Sequence, residues 1–396
     1  MPARLLPQKG LGQWYERHEL SPLKPIRCAA GDPGSGLYAP LGPSPRYLGG
    51  VMTVGELGEA GVLARILAQL SPADTATIGP GDDCAVLTQS GELVVTTDTM
   101  IEGPDFRLAW HAGFELGWKL AATNLSDVAA MGAKPTALTV ALACPKDTPI
   151  ALLEEISRGL DAACRELAPG CGVVGGDLGQ APVLFAAVTA LGDLEGRAPV
   201  TRSGAQPGDT VAYGGALGLA GMGLSLLFEH CADERGVAHD TGLAELRAAH
   251  AAELAAQFAP SAPIHLGVAA STGGASAMMD VSDGLALDAA RLARASGVRI
   301  ELSELLLTAA FGVQEDVEVP LHAMLEGGED HGLLACFPPD AILPAGFHAI
   351  GSVTNVEPSS SEPSGGELAA SSLTVGGAPY TPRGWDPYNK LTTLRS

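Results

Sequence analysis

Residues 79–103, GPGDDCAVLTQSGELVVTTDTMIEG, constrain this chain more than any other stretch, because they set acidic residues in a glycine turn and another beside a β-branched run. Pro80 and Gly81 permit a tight backbone path, Asp82 and Asp83 follow, and residues 84–87 predict a short apolar strand. Residues 92–97, ELVVTT, predict the second strand of a hairpin, ending at Asp98. Carboxylates and hydroxyls at adjacent strand ends are hard oxygen ligands, which suits Mg²⁺, an ion commonly held by a few carboxylates and phosphate oxygens. Each motif alone is equally an ordinary turn, since Asp and Gly dominate turns.

The length of 396 residues predicts two domains, and strands alternating with helical patterns predict a mixed α and β protein. A formal net charge of -22 excludes nucleic acid and anionic membrane as partners, because both need a basic surface. An acidic protein that binds phosphates does so through metal ions, backbone amides and a few local Arg or Lys. The cysteines, Cys28, Cys84, Cys144, Cys164, Cys171, Cys231 and Cys336, are odd in number and form neither a CxxC pair nor a zinc-spaced cluster. Reduced thiols, apolar runs too short to span a bilayer and a first segment without an apolar signal core predict a cytoplasmic protein.

Residues 1–51 are rich in Pro and Gly and basic in balance; they are expected to be a disordered extension or to precede a natural start at Met52. From there Leu57, Leu63, Ile66, Leu67 and Leu70 recur at helical spacing. A second helix is predicted over 112–131, with Leu116, Leu120, Leu125 and Val128 as its buried stripe and Asn124 and Asp127 on a neighbouring face. Gly132 and Pro135 are expected to end it, ahead of a buried strand at 137–144. A helix over 152–167 follows, then VVGGDLG, which places Asp177 after a glycine pair at a strand end. The N-terminal domain is assigned to 52–205 and the C-terminal domain to 206–356, with 357–396 as linker and tail.

In the second half, GGALGLAG follows a strand but misses the spacing of a dinucleotide fingerprint, and no acid-ending strand follows it; close helix packing accounts for its glycines better. Asp280, Ser282 and Asp283 fall at a strand-to-helix junction, where Ser282 or Asp283 is expected to cap the helix. Residues 300–306 read as extended, GGED at 327–330 presents Glu329 and Asp330 before an apolar strand, and 357–378 read as a loop. Glycine or a strand end thus precedes acid at Asp83, Asp98, Asp177, Asp280 with Asp283, and Glu329, while Asp127 lies on a helix. Such a set repels itself in an empty site and becomes favourable around Mg²⁺ and a polyphosphate, the arrangement phosphoryl transfer requires.

The motifs GDDCAV, TTDTMIEG, NLSDVAAMGAKP, GGDL, TRSGAQPGD, MDVSDGLALD, GGED and GWD, in this order from about Met52 to the C-terminus, resemble the thiamine-monophosphate kinases of the aminoimidazole ribonucleotide (AIR) synthetase superfamily. The resemblance implies an α+β, two-domain AIR-synthetase-like fold, a homodimer paired through the N-terminal sheets, and ATP-dependent, Mg²⁺-assisted phosphorylation of thiamine monophosphate to thiamine diphosphate. Carried over, the metal ligands fall on Asp83, Thr96, Thr97, Asp98, Asp127, Asp177, Asp280 and Asp283, with Asp98, Asp127 and Asp283 nearest the chemistry. ATP contacts fall on Gly176, Asp177, Arg202 and Ser282, and substrate contacts on Asp105, Glu329 and Trp385.

Asp105 stands where the family usually has a His, so that contact cannot donate to a phosphate unless the acid is protonated or bridged by metal. His331 replaces the usual Tyr and Gly332 the usual acid. Two alternatives stay open: another enzyme of the superfamily with a different acceptor, such as a formylglycinamidine ribonucleotide cyclase, and a non-catalytic nucleotide-binding protein.

Overall fold

Thr53 starts the first helix, α1 (Val54–Leu67), by directing its hydroxyl and backbone N–H to Glu56 Oε2 at 3.0 and 2.8 Å. The computed structural model describes residues 52–81, 83–356 and 372–384. The expectations for 1–51 and for Trp385 lie outside those residues.

Strands β1 (Ala76–Ile78) and β2 (Val86–Leu87) pair with each other, antiparallel. The expected hairpin between 84–87 and 92–97 is therefore not formed: β3 (Leu93–Ile101) leaves β2 and joins a four-stranded sheet. That sheet contains β4 (Lys134–Cys144), β5 (Gly172–Gln180) and β6 (Phe185–Asp193) in the order β3-β6-β4-β5, with only β4 and β5 parallel. Alternation along β3 turns Val94, Thr96, Asp98 and Met100 inward and leaves Leu93 and Val95 more than half exposed.

Helices α2 (Gly113–Ala130) and α3 (Ile150–Leu167) pack against each other, and α2 also packs on β3 and β6. They approach closely through glycine on both sides. A Cβ on Gly117 would stand 1.9 Å from the Ile156 carbonyl oxygen, and one on Gly159 would stand 2.0 Å from that of Phe114. The opposite side of α2 meets the second sheet, so most of the helix is buried.

The second sheet comprises β7 (Thr210–Gly214), β8 (Ala277–Val281), β9 (Arg299–Leu302), β12 (Gly332–Phe337), β13 (Phe347–Thr354), β14 (Leu373–Val375) and β15 (Ala378–Pro379) in the order β15-β14-β9-β13-β7-β12-β8. A small hairpin, β10 (Val313–Gln314) with β11 (Val317–Glu318), stands apart. Its helices are α4 (Leu219–His230), α5 (Leu243–Ala249), α6 (Ala251–Phe258), α7 (His265–Thr272), α8 (Leu285–Ser296), α9 (Glu304–Phe311) and α10 (Leu321–Glu326). Every residue of β8 and β12 is buried, as their apolar runs require. In β12, Gly332 pairs with Val281 and Leu333 with Asp280, which brings the GGED loop and the DVSDG turn to the same end of the sheet.

Several local expectations change. Asp98 and Asp177 are mid-strand, not at strand ends, because pairing with β6 continues to Ile101 and pairing with β4 continues to Gln180. Pro135 lies inside β4 at a register shift with β6. Neither Ser282 nor Asp283 caps α8; its N-cap is Gly284, whose φ of 113° only glycine adopts easily. Residues 300–306 divide into β9 and a helix, α9, capped by the Ser303 hydroxyl. Residues 373–375, read as loop, form β14 beside β9 because the sheet edge there accepts a parallel strand. The glycines of the longer stretch GGALGLAGMG do serve helix packing: a Cβ on Gly223 would stand 2.3 Å from the Glu253 carbonyl oxygen of α6. Among the described residues, no helix is long and apolar enough to cross a membrane.

Candidate active site

One stretch of α2, from Lys119 to Asp127, reaches β3, β8 and the loop ahead of β12. Asn124 Oδ1 accepts the Asp98 backbone N–H at 3.2 Å, and Asp127 Oδ2 accepts the Thr96 hydroxyl at 2.8 Å. The Ser126 hydroxyl donates to Asp280 Oδ2 at 3.2 Å, and Thr123 Oγ1 lies 3.1 Å from His331 Nε2. Lys119 Nζ stands 3.0 Å from Glu329 Oε1 and donates to the Gln257 carbonyl at 3.0 Å. Polar side chains on a buried helix must find such partners, and Thr96, Asp98, Asp280 and Glu329 among these partners are predicted site residues.

The grouping leaves an electrostatic imprint. Burial, then the charges of Asp280 and Asp98, push the Asp127 carboxyl up to about 7. Burial, then Asp280, raises that of Asp98, and Asp283 adds to the effect while His331 opposes it. His331 Nδ1 lies 3.6 Å from Asp280 Oδ2, beyond hydrogen-bond distance. The structure thus brings Asp98, Asp127, Asp280 and Asp283 into one negative neighbourhood, with Thr96 tied into it. Among the described residues, no three His, Cys, Asp or Glu side chains stand close enough together to hold a metal ion as they are. Several of these acids are engaged by protein donors instead: Asp127 by Thr96, Asp280 by Ser126 and Asp283 by Arg291.

The other predicted residues are distributed around this group. The Thr97 hydroxyl turns to the other face of β3, where it donates to the Val188 carbonyl at 2.9 Å and accepts from Thr189. Asp83 is exposed in the connection from β1 to β2. Gly176 and Asp177 are exposed within β5, and a Cβ at Gly176 would stand 1.9 Å from the Val140 carbonyl oxygen. Arg202 is exposed in the connection leading to β7, and Ser282 accepts the Glu329 backbone N–H through its carbonyl at 2.8 Å.

Asp105 folds back to accept the Ile101 N–H at 2.8 Å. Burial raises its carboxyl, the Ile101 N–H lowers it, and Glu329 raises it again, so the two acids predicted to meet substrate do share a corner. Glu329 is tied on both oxygens, to Lys119 and, at 2.7 Å, to Gln257 Nε2. Glu329 and His331 both have left-handed backbone, φ 70° and 54°, a strain that clusters at functional sites. Between them the Asp330 carboxylate accepts from Gly218 N at 2.6 Å and Ala220 N at 2.9 Å, and so caps α4 from another segment. Sequence reading missed Lys119 and Gln257, and it set Asp330 beside Glu329 without a partner. For Lys119 the signal was a charge within an apolar helical stripe; for Gln257 and Asp330 it existed only in the tertiary pairing.

Residues 81–194 match the family AIR synthase related protein, N-terminal domain. The thiamine-monophosphate kinase of Mycobacterium tuberculosis H37Rv is 39% identical over 310 residues, covering 76% of this chain and 86% of that protein. The thiamine-monophosphate kinase of Corynebacterium glutamicum is 36% identical over 313 residues, covering 76% of this chain and 88% of that protein. Among solved structures, AaThiL complexed with AMPPCP and TMP aligns with a TM-score of 0.60 at 28% identity, covering 84% of this chain and 98% of that one.

The Lys119–Glu329 contact makes a prediction about pH. Burial alone would raise the Glu329 carboxyl, but Lys119 and Gln257 outweigh it and hold the group below the ordinary carboxylate range. A depressed folded-state value contributes stability that is present above the unfolded value of about 4.3 and lost as pH falls through the folded one. Glu329→Gln, which leaves Lys119 buried without its counter-charge, is expected to lower stability by about 2 kcal/mol at neutral pH. Urea unfolding of both proteins should show that gap narrowing below about pH 4; a gap independent of pH would contradict the assignment.

Proposed function

The chain belongs to the thiamine-monophosphate kinase family, and we propose that it transfers the γ-phosphoryl group of ATP to the phosphate of thiamine monophosphate, giving thiamine diphosphate and ADP. The observation that carries this reading is the gathering of Asp98, Asp127 and Asp280 around one buried helix segment, in a chain 39% identical to a kinase of that name. The substrate phosphate is already an oxyanion at neutral pH. One of its oxygens forms the new bond to the γ-phosphorus as the bond to the β,γ-bridging oxygen breaks, and that oxygen leaves with ADP. No Ser, Cys or His nucleophile is needed.

The donor set fits a hard divalent cation. It consists of carboxylate and hydroxyl oxygens, and the raised carboxyls of Asp98 and Asp127 mark a repulsion that a cation relieves. Asp98, Asp127, Asp280 and Asp283 would hold Mg²⁺, with Asp83 and Asp177 serving further ions along the polyphosphate. Thr96 fixes Asp127; the Thr97 hydroxyl faces away, which leaves its backbone for any contact. When bound, Mg²⁺ neutralises charge on the transferring phosphoryl oxygens.

Gly176, Asp177, Arg202 and Ser282 form the nucleotide side of the proposal, and the Arg202 fork suits phosphate oxygens. Asp105, Glu329 and Trp385 form the substrate side. There Asp105 presents an acceptor and a negative charge where the family usually has a His. Lys119 and Gln257 keep Glu329 ionised and oriented toward that corner.

The same reading makes the protein cytoplasmic and a homodimer that buries the outer face of the first sheet, where Leu93 and Val95 are exposed at 52% and 55%. Light scattering should return twice the 40.2 kDa of the chain; a monomer at working concentration would exclude the dimer. For the chemistry, Asp98→Asn is expected to keep the fold and to lower thiamine diphosphate production from Mg-ATP and thiamine monophosphate by more than about 100-fold. Product formed at an undiminished rate by that variant would remove Asp98 from the site.

A further inference from the structure

On α8, beside the carboxylate group, Arg291 serves two acids with one nitrogen. Its Nη1 donates to Asp283 Oδ2 at 2.5 Å and to Asp288 Oδ1 at 2.7 Å. Asp288 is fully buried, and its Oδ2 also accepts the Asp283 backbone N–H at 3.1 Å. Asp288 therefore holds the Asp283 main chain directly and shares Arg291 Nη1 with the Asp283 side chain.

Asp283 is close enough to Asp98 for their charges to act on one another. Without Arg291, its carboxylate would add unrelieved repulsion to the group of Asp98, Asp127 and Asp280. Charge-assisted hydrogen bonds of this kind are short and strong, so a cation binding Asp283 has to displace or share the guanidinium. Because Asp288 is buried, it cannot turn to water and must keep its share of that nitrogen, which limits how tightly Arg291 holds Asp283.

We propose that Arg291 is the resident counter-ion of Asp283, that Asp288 divides its hold, and that the pair sets how readily a divalent cation enters the site. Both are positioning residues, and the inference rests on the reading of Asp283 as a metal ligand.

The account gives the two residues opposite effects, whereas a merely structural brace would weaken the site from either side. The test is titration of the full-length chain with Mn²⁺ alone, following free Mn²⁺ by electron paramagnetic resonance, with thermal unfolding to verify each fold. Arg291→Gln releases Asp283 and is expected to bind Mn²⁺ at least about fivefold more tightly than wild type, the net scale of one hydrogen bond. Asp288→Asn leaves the guanidinium to Asp283 and is expected to bind at least about fivefold more weakly. Equal or weaker binding by Arg291→Gln overturns the inference, and this variant decides alone if Asp288→Asn does not fold, since Arg291 is 37% exposed. Absence of Mn²⁺ binding by the wild type would overturn the metal reading itself, and the inference with it.

Discussion

The structure depends on burying α2 between two sheets while that helix still carries Lys119, Thr123, Asn124, Ser126 and Asp127. A buried polar side chain without a partner costs about 1–3 kcal/mol, and a buried charge costs more. Each of these residues is therefore committed to a partner on β3, β8 or the GGED loop. Satisfying the helix and assembling the site are the same event. The glycines at 117 and 159 make this possible, because they let α3 close on α2 without pushing it off the sheet.

What the helix gathers is electrostatically unfavourable by itself. Asp98, Asp127 and Asp280 are drawn into a neighbourhood where burial and mutual charge raise two of their carboxyls. The protein moderates this with hydroxyl and guanidinium donors: Thr96 on Asp127, Ser126 on Asp280, Arg291 on Asp283. On the proposed reading, a polyphosphate with its cations completes the balance that these donors begin. The corner of Asp105 and Glu329 uses a different solution, a buried lysine paired with Glu329, and stores backbone strain on both sides of Asp330 to hold the loop in place.

Much of this was legible in the sequence. Periodicity placed α2 and α3 closely, because their buried stripes are long and regular. Motif order pointed to Asp98, Asp127, Asp280 and Glu329. Strand pairing was not legible. The residues after GDD looked like a hairpin, yet β2 pairs back to β1, since local patterning does not reveal which edge a strand will meet. For the same reason local pattern puts Asp98 and Asp177 at strand ends, whereas their strands run on past them. Long-range partners such as Lys119 with Glu329, or Asp330 with the start of α4, lie more than a hundred residues apart, and only the folded arrangement reveals them.

The central claim is that the acids gathered by α2 hold the cations of a nucleotide polyphosphate. The most direct measurement is anomalous diffraction from crystals grown with Mn²⁺ and a non-hydrolysable ATP analogue. The account predicts Mn²⁺ peaks in contact with Asp98, Asp127, Asp280 and Asp283, with the analogue's phosphates on the other side of the ions. An analogue bound with no peak against any of these four carboxylates would contradict it.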